Sequence, residues 1–463
     1  MNAKYDIIII GAGPGGYPCA IRLSQLGKKV LVIEAKELGG LCLNWGCIPT
    51  KALSYAAEMH DQFKKARKMG FQLEVQGIDV SALKKWKESV VTRLRNGVGY
   101  LFKQHNIELK NGFAKVISQH EIECTINGKI EKYKADAIVL ATGTDVAALP
   151  GLEYDHDTII NTDDALELKA IPKSLLVIGA GASGLEMATI YNRFGSEVSV
   201  VEIMDQILPG MEQELCSSLH KILSKNGIRI YTGSRVISAV IKDGMLEVKI
   251  KQPDKDFVAQ YDKILVTVGR KPAQQAFCSL NLDTDNKGYL AVDACLRTSM
   301  ETIYAIGDIA GPPLLAHKAT KQGIALAEYL GGYHDTIQLG TVPSCVFTIP
   351  SLSSVGLTEA QAIEQGYKVK TGTFPYRASG KALAMGEIEG MVKIVGDESG
   401  QFLGLHILGA DSASLIGEGI IAVDEGLKVS DIADSIHPHP TLTEMIQEAA
   451  ENFYGKATHI VSK

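Results

Sequence analysis

One pattern occurs twice in this chain, and it restricts the fold more than any other feature. Residues 5–10 form a short apolar, β-rich run that leads into GAGPGG at 11–16. A helical stretch at 17–26 follows, stopped by Gly27, and a second β run at 29–33 ends in Glu34. Strand, glycine turn, helix, strand and acid make the βαβ fingerprint of a dinucleotide site. Gly11, Gly13 and Gly16 let backbone approach a pyrophosphate, and the helix N-terminus favours its charge. Glu34 would accept hydrogen bonds from a ribose. Pro14 suits a first helical turn, whereas Pro18 is expected to sit less comfortably, further along the helix. The same series returns at 174–178, GAGASG at 179–184, a helix to about 194, Gly195, 197–201 and Glu202. The first glycine and the acid are 23 residues apart both times, and the two units are offset by 168 residues.

Two dinucleotide units on one chain imply electron transfer between a nicotinamide and a flavin. Gly179, Gly181, Gly184 and Glu202 are the second set of binding candidates. Glu202 would repel a ribose 2′-phosphate, and Ile203-Met204-Asp205 bring no arginine or lysine, so NAD is expected rather than NADP.

A few residues after the first acid lies GGLCLNWGCIPTKA at 39–52. Cys42 and Cys47 are five residues apart, which along a regular helix would separate their Cα atoms by about 8–9 Å. A disulfide needs them within roughly 7 Å, so the pair closes only if the backbone breaks between them, and Gly46 would permit that. A strained or exposed bridge is the labile, catalytic kind. The plainer alternative is two reduced, buried thiols, but a pair beside a bound redox cofactor reads as redox-active. Lys51 is four residues from Cys47 and would share its helical face, where its charge favours a thiolate.

The rest of the composition excludes more than it reveals. At 463 residues the chain has room for about three domains. A net charge of −6 gives no electrostatic case for nucleic acid or an anionic membrane. The longest apolar runs are far too short to span a bilayer, and no signal or transit peptide is expected ahead of the first strand. The other six of the eight cysteines are scattered singly and read as thiols of a reducing compartment. Residues 59–110, Lys-rich and amphipathic, are expected to be helices with one solvated face. Residues 137–143 and 264–270 are similar buried strands entering glycine turns, and they look like the exits of the two nucleotide units. Asp308 ends a short strand at 304–308 and could bind a cofactor hydroxyl. Residues 315–330 read as a long helix, with His317 structural or near the flavin. From about residue 341 alternating stretches (344–347, 368–374, 391–395 and 403–408) and helices (358–365, 412–425 and 441–452) predict an α+β domain with an antiparallel sheet. Its most chemical stretch is SIHPHPTLTE at 435–444, where X-Pro bonds suit a tight turn and are open to the cis form, and a histidine could carry a proton beside a carboxylate.

The cysteine pair after one fingerprint, the second fingerprint, Gly307-Asp308 and the terminal His-Pro…Glu stretch together resemble the class I pyridine nucleotide–disulfide oxidoreductases over essentially the whole chain. GGLCLNWGCIPTK at 39–51, LLAHKA at 314–319 and HPHPTLTE at 437–444 carry the resemblance, and they are most similar to members that oxidise dihydrolipoamide with NAD⁺. The resemblance implies an α/β fold: two Rossmann-like dinucleotide-binding domains plus a C-terminal α+β dimerisation domain. Boundaries at 1–149 and 273–342 are expected for FAD, 150–272 for NAD and 343–463 for the interface. FAD would lie along Gly11, Gly13 and Gly16 with Glu34 on its ribose, Lys51 near the flavin N5, Gly112 and Ala114 near the adenine, and Asp308 on the ribitol. NAD would take Gly179, Gly181, Gly184 and Glu202, with Glu186 and Gly269 in the same pocket. Thr142, Gly143, Val236 and Ala316 are further cofactor-binding candidates. Cys42 would be the interchange thiol and Cys47 the thiolate facing the flavin. His439, paired with Glu444, would be the base, supplied by the partner subunit of a homodimer. The implied reaction oxidises protein-bound dihydrolipoamide and reduces NAD⁺, serving 2-oxoacid dehydrogenase or glycine cleavage complexes. The lipoyl group would arrive on an acyltransferase or carrier protein, in the cytoplasm or an organellar matrix. Relatives that need a second cysteine pair near the C-terminus do not fit, since the last cysteine is Cys345. An NADPH-dependent reductase would want basic residues after Glu202. A non-catalytic flavoprotein scaffold would leave Cys42, Cys47 and His439 without a use.

Overall fold

The computed structural model describes residues 4–74, 77–167 and 169–461. Positions 75 and 76, inside the stretch expected to be helical, lie outside the described residues. The chain divides into two compact units. The first takes Met1–Ala52, Lys84–Ala147 and Gly269–Leu339, and the second takes Leu53–Leu83, Ala148–Val268 and Gly340–Lys463.

In the first unit a parallel sheet runs in the order Glu108–Asn111, Val30–Glu34, Lys4–Ile10, Lys129–Leu140 and Ile303–Ala305. All five residues of Val30–Glu34 are buried, the mark of a strand covered on both faces. The strand Lys129–Leu140 joins the parallel and antiparallel parts of one seven-stranded sheet. Its second half pairs with Lys4–Ile10, and its first half closes an antiparallel meander with Glu121–Ile126 and Phe113–Ser118. The first fingerprint helix is Gly16–Gln25, so Pro18 falls in the first turn, where its missing N–H has no intrahelical partner to lose. Its neighbour in space is the helix Ala316–Leu330, close enough that a Cβ on Gly323 would come 2.2 Å from the Gly15 carbonyl oxygen. Residues 59–110 resolve into the ends of Cys47–Lys68 and Val80–Gln104, with the strand Glu108–Asn111 closing the stretch.

The second unit holds a parallel sheet in the order Arg229–Tyr231, Glu197–Val201, Ser174–Ile178, Lys263–Val266 and Ile159–Ile160. A three-stranded meander, Arg235–Lys242, Met245–Lys251 and Asp256–Tyr261, accompanies it. The C-terminal part of this unit is an antiparallel sheet ordered Ser344–Val346, Ser351–Gly356, Phe402–Gly409, Met391–Asp397 and Val369–Pro375. Helices Ser412–Asp424 and Glu444–Phe453 pack on it. The contact is tight enough that a Cβ on Gly372 would come 2.1 Å from the Ala449 carbonyl oxygen. The last helix begins at Glu444 rather than at 441, because residues 441–443 form the turn that leads into it. Among the described residues no helix is long and apolar enough to cross a membrane.

Candidate active site

The redox pair is closed: Cys42 and Cys47 form a disulfide with a Cα–Cα distance of 4.6 Å. A continuous helix could not bring them so near. The chain breaks where the sequence has glycine: helix Gly40–Trp45 ends at Gly46, and helix Cys47–Lys68 starts immediately after it. A Cβ on Gly46 would come 3.1 Å from the Leu41 carbonyl oxygen, so a larger residue would crowd the break. Cys47 is the first residue of its helix, where the helix dipole favours a thiolate. Lys51 lies one turn further on the same helix. Asn44 ties the first helix to the preceding loop by donating to the carbonyls of Leu38 and Gly40 at 2.9 and 3.0 Å.

The glycines of each fingerprint have separate physical reasons. Gly11 has φ +101°, and a Cβ there would strike the Ala141 carbonyl oxygen at 2.3 Å. A Cβ on Gly16 would sit 1.9 Å from the Gly11 carbonyl oxygen, so this glycine lets helix meet strand. Gly13 is different: the nearest protein atom to its added Cβ is 3.9 Å away. The second unit repeats this. Gly179 has φ +104°, Gly184 would clash with the Gly179 oxygen at 2.0 Å, and Gly181 would meet nothing within 4 Å. Protein packing does not demand glycine at 13 or 181, which is what a site for close approach of a pyrophosphate requires. Among the described residues no side chain caps the N-terminus of either helix, so their first-turn donors face that same place.

Glu34 and Glu202 are both buried and occupy equivalent positions. Each carboxylate accepts one backbone N–H from the glycine loop, Ala12 at 2.7 Å or Ala180 at 2.6 Å. Each accepts a second from two residues beyond itself, Lys36 at 2.8 Å or Met204 at 2.9 Å. A carboxylate has about four lone-pair sites, so two remain for ribose hydroxyls. The fingerprint acid therefore also staples its own loop, a role that motif spacing does not reveal.

The other first-unit candidates lie around the sheet's end. Gly112 donates to the Glu34 carbonyl at 2.9 Å, and a Cβ there would come 2.5 Å from the Thr125 oxygen. Ala114 has its side chain buried in the core of the meander. Thr142 donates its hydroxyl to the Ala273 carbonyl at 2.9 Å, and Gly143 accepts from the Ala273 N–H at 3.1 Å. Gly269 accepts from Ala147 at 3.2 Å, beside the two-stranded ribbon of Thr144–Val146 and Arg270–Pro272. Asp308 sits in the 3₁₀ turn Gly307–Ala310. Burial pushes its carboxyl above the usual range, against the opposing pull of Lys318, Arg270 and the Thr144 hydroxyl. Ala316 opens the helix that follows, and His317 is exposed beside it.

In the second unit, Glu186 is buried on the fingerprint helix and accepts from the Phe347 N–H at 2.9 Å. Val236 is half-buried in the first strand of the meander, at a bulge in the pairing with Met245–Lys251. The two C-terminal histidines separate cleanly. His437 has 8% of its side chain exposed and uses both ring nitrogens, Nε2 to Glu418 at 3.0 Å and Nδ1 to the Ser435 carbonyl at 3.1 Å. His439 is 80% exposed, with Nδ1 on Glu444 Oε1 at 2.8 Å and, among the described residues, no partner on Nε2. A cis bond joins it to Pro440. The other Glu444 oxygen accepts the Thr441 N–H at 2.7 Å. Burial resists the charge on Glu444, but the Thr441 N–H and His439 outweigh it and hold the carboxyl below its usual range. A carboxylate on Nδ1 fixes the proton there and leaves Nε2 as a lone-pair base. Among the described residues no group of three or more His, Cys, Asp or Glu is placed to hold a metal.

The chain matches the family model described as pyridine nucleotide-disulphide oxidoreductase over residues 5–323, and that family's dimerisation domain over 342–450. It is 43% identical to a dihydrolipoyl dehydrogenase of Thermus scotoductus, covering 99% of both chains. It is 36% identical to that of Geobacillus stearothermophilus over 99% of this chain and 98% of the other. Among solved structures, the HOCl-induced flavoprotein disulfide reductase RclA of Escherichia coli, in its Cu(II) complex, superposes with a TM-score of 0.87 at 27% identity, covering 97% of this chain and 99% of that one. Two fingerprints, a closed cysteine pair after the first and an antiparallel C-terminal domain agree with these matches along the full length, and the chain belongs to the pyridine nucleotide-disulphide oxidoreductase family.

Proposed function

We propose that this chain is a dihydrolipoyl dehydrogenase, a flavoprotein that oxidises protein-bound dihydrolipoamide and reduces NAD⁺. The observation that carries the reading is the Cys42–Cys47 disulfide, set at a helix start in the same unit as the first dinucleotide fingerprint. The glycine cradles at 13 and 181 and the uncapped helices behind them fit the pyrophosphates of FAD and NAD. FAD is assigned to segments 1–149 and 273–342, NAD to 150–272 and the subunit interface to 343–463. Their support is that the parallel strands around Lys4–Ile10, the parallel strands around Ser174–Ile178 and the antiparallel strands of residues 344–409 lie in three separate sheets.

In the reaction, Nε2 of the partner subunit's His439 takes a proton from one substrate thiol. The thiolate attacks Cys42 Sγ, the Cys42–Cys47 bond breaks, and Cys47 leaves as a thiolate stabilised by its helix. The second substrate thiol then attacks the substrate sulfur of the mixed disulfide. Cys42 is released as a thiol carrying the proton of that second substrate thiol, the first proton remains on the partner's His439, and the substrate leaves as a disulfide. FAD held at Gly11, Gly13 and Gly16 would supply the two-electron acceptor for the reduced Cys42–Cys47 pair, and NAD⁺ held at Gly179, Gly181 and Gly184 would supply the final hydride acceptor. Glu444 holds the histidine tautomer throughout, as its two hydrogen bonds support. The lipoyl group is presented by an acyltransferase or carrier protein of a 2-oxoacid dehydrogenase or glycine cleavage complex, in the cytoplasm or an organellar matrix.

The test is an assay of FAD-loaded protein with dihydrolipoamide and either NAD⁺ or NADP⁺. Strong turnover with NAD⁺ alone, abolished in Cys47→Ser protein that still retains FAD, is the expected result. A flavin that NADH reduces in a protein that ignores dihydrolipoamide would instead identify a reductase of some other disulfide.

A further inference from the structure

The turn that carries Asp308 is gripped by one face of the helix behind it. Lys318 and Gln322 are four residues apart on Ala316–Leu330 and share that face. Both are polar and almost wholly buried, at 6% and 5% exposed. Gln322 accepts the Gly307 N–H at 2.9 Å, at the start of the turn. Lys318 donates its ammonium to the Gly311 carbonyl, at the end of the same turn. Asp308 lies between these two anchors. The remaining groups facing it come from two other places. The Thr144 hydroxyl donates to Asp308 Oδ2 at 3.3 Å and itself accepts from Arg270 Nε at 2.8 Å. Tyr289 follows, its hydroxyl donating to the Arg270 carbonyl at 3.3 Å.

A buried lysine is costly, and a hydrogen bond to one carbonyl does not require a charge. An amide such as Gln322 does the equivalent work at the other end of the turn. Lys318 differs from it in bringing a cation to the neighbourhood of the half-buried Asp308 carboxylate. Burial pulls the ammonium down, and Asp308 partly restores it.

We propose that Lys318 is a positioning residue that keeps Asp308 ionised and oriented, so that Asp308 accepts hydrogen bonds from flavin hydroxyls across the neutral range. This rests on the flavoprotein reading above. Without the cation, Asp308 would be protonated as pH falls, and a neutral carboxyl presents a donor to the hydroxyls it should accept from.

The test is FAD affinity of the apoprotein as a function of pH, read by flavin fluorescence and without any turnover. Lys318→Gln retains a donor for Gly311 but no charge, Lys318→Met removes both, and Lys318→Arg keeps the charge. The expected result is near-normal affinity for Lys318→Gln at pH 9 and a loss of about tenfold at pH 6, the scale of one hydrogen bond to a charged group. Lys318→Arg should restore the flat wild-type profile. Asp308→Asn should be weak at every pH, and adding Lys318→Gln to it should change nothing further. Thermal melts of each apoprotein separate misfolding from weakened binding. A Lys318→Gln protein with the wild-type profile, or a loss that is equal at every pH and adds to that of Asp308→Asn, would overturn the inference. A wild-type apoprotein that takes up no FAD would overturn the flavoprotein reading and this inference with it.

Discussion

His437 and His439 are two residues apart, and only their surroundings distinguish them. Both were legible as a histidine pair beside a carboxylate. Which one is saturated could not be read, because Glu418, the acid that satisfies His437, lies 19 residues away on another helix. Replacing His439 by alanine should lower dihydrolipoamide turnover by about 10²–10⁴-fold, the usual worth of a positioned base, with flavin reduction by NADH intact. Stopped-flow measurement of the two half-reactions checks this. Glu444 also makes the turn pH-sensitive. Its carboxyl lies below the ordinary value in the folded protein, so its contribution is present above the unfolded carboxylate range and is lost as pH falls through the depressed value. Protection of the Thr441 amide from hydrogen exchange should therefore persist below pH 4.5 and disappear on further acidification. In Glu444→Gln the amide does not titrate, so whatever protection the Thr441 amide keeps should no longer change across this acid range.

At the scale of elements, the fingerprint glycines make opposite predictions at neighbouring positions. Alanine at Gly184 must push against the Gly179 carbonyl, and overpacking of this kind costs about 1–3 kcal/mol. Alanine at Gly181 meets nothing, and its φ of −73° suits any residue. Gly184→Ala should melt several degrees lower, whereas Gly181→Ala should melt normally and lose NAD affinity; calorimetry and NADH titration separate the two. These elements were readable because a βαβ fingerprint is local, with every part set by its neighbours in sequence. The strand Ser351–Gly356 was not, since it is buried on both faces and its serines break the continuous apolar run that marks such a strand. The meander over residues 235–261 also escaped, although its middle strand buries Leu246, Val248 and Ile250 in alternation. The grip of Lys318 and Gln322 on the Asp308 turn is invisible for another reason: it depends on which face of a helix packs against which loop.

For the whole molecule, the proposed function divides the chemistry between the two subunits of a dimer. If the disulfide of one subunit works with the partner subunit's His439, two inactive proteins should complement each other. Mixing Cys47→Ser and His439→Ala subunits at random forms heterodimers with one intact site, and about a quarter of the wild-type rate should return. Mixing that restores nothing would place both groups on the same chain's site. The strand Lys129–Leu140 carries a further consequence, for the order in which the molecule is made. Its outer neighbour in the parallel sheet is Ile303–Ala305, and the whole of residues 141–302 lies between them in the chain. At 5–20 residues per second, a ribosome needs on the order of ten to thirty seconds to cross that interval. For that time the nascent sheet waits with an apolar edge unpaired, the kind of surface to which stray strands add. Newborn chains of this protein are thus most in need of a chaperone before residue 303 emerges.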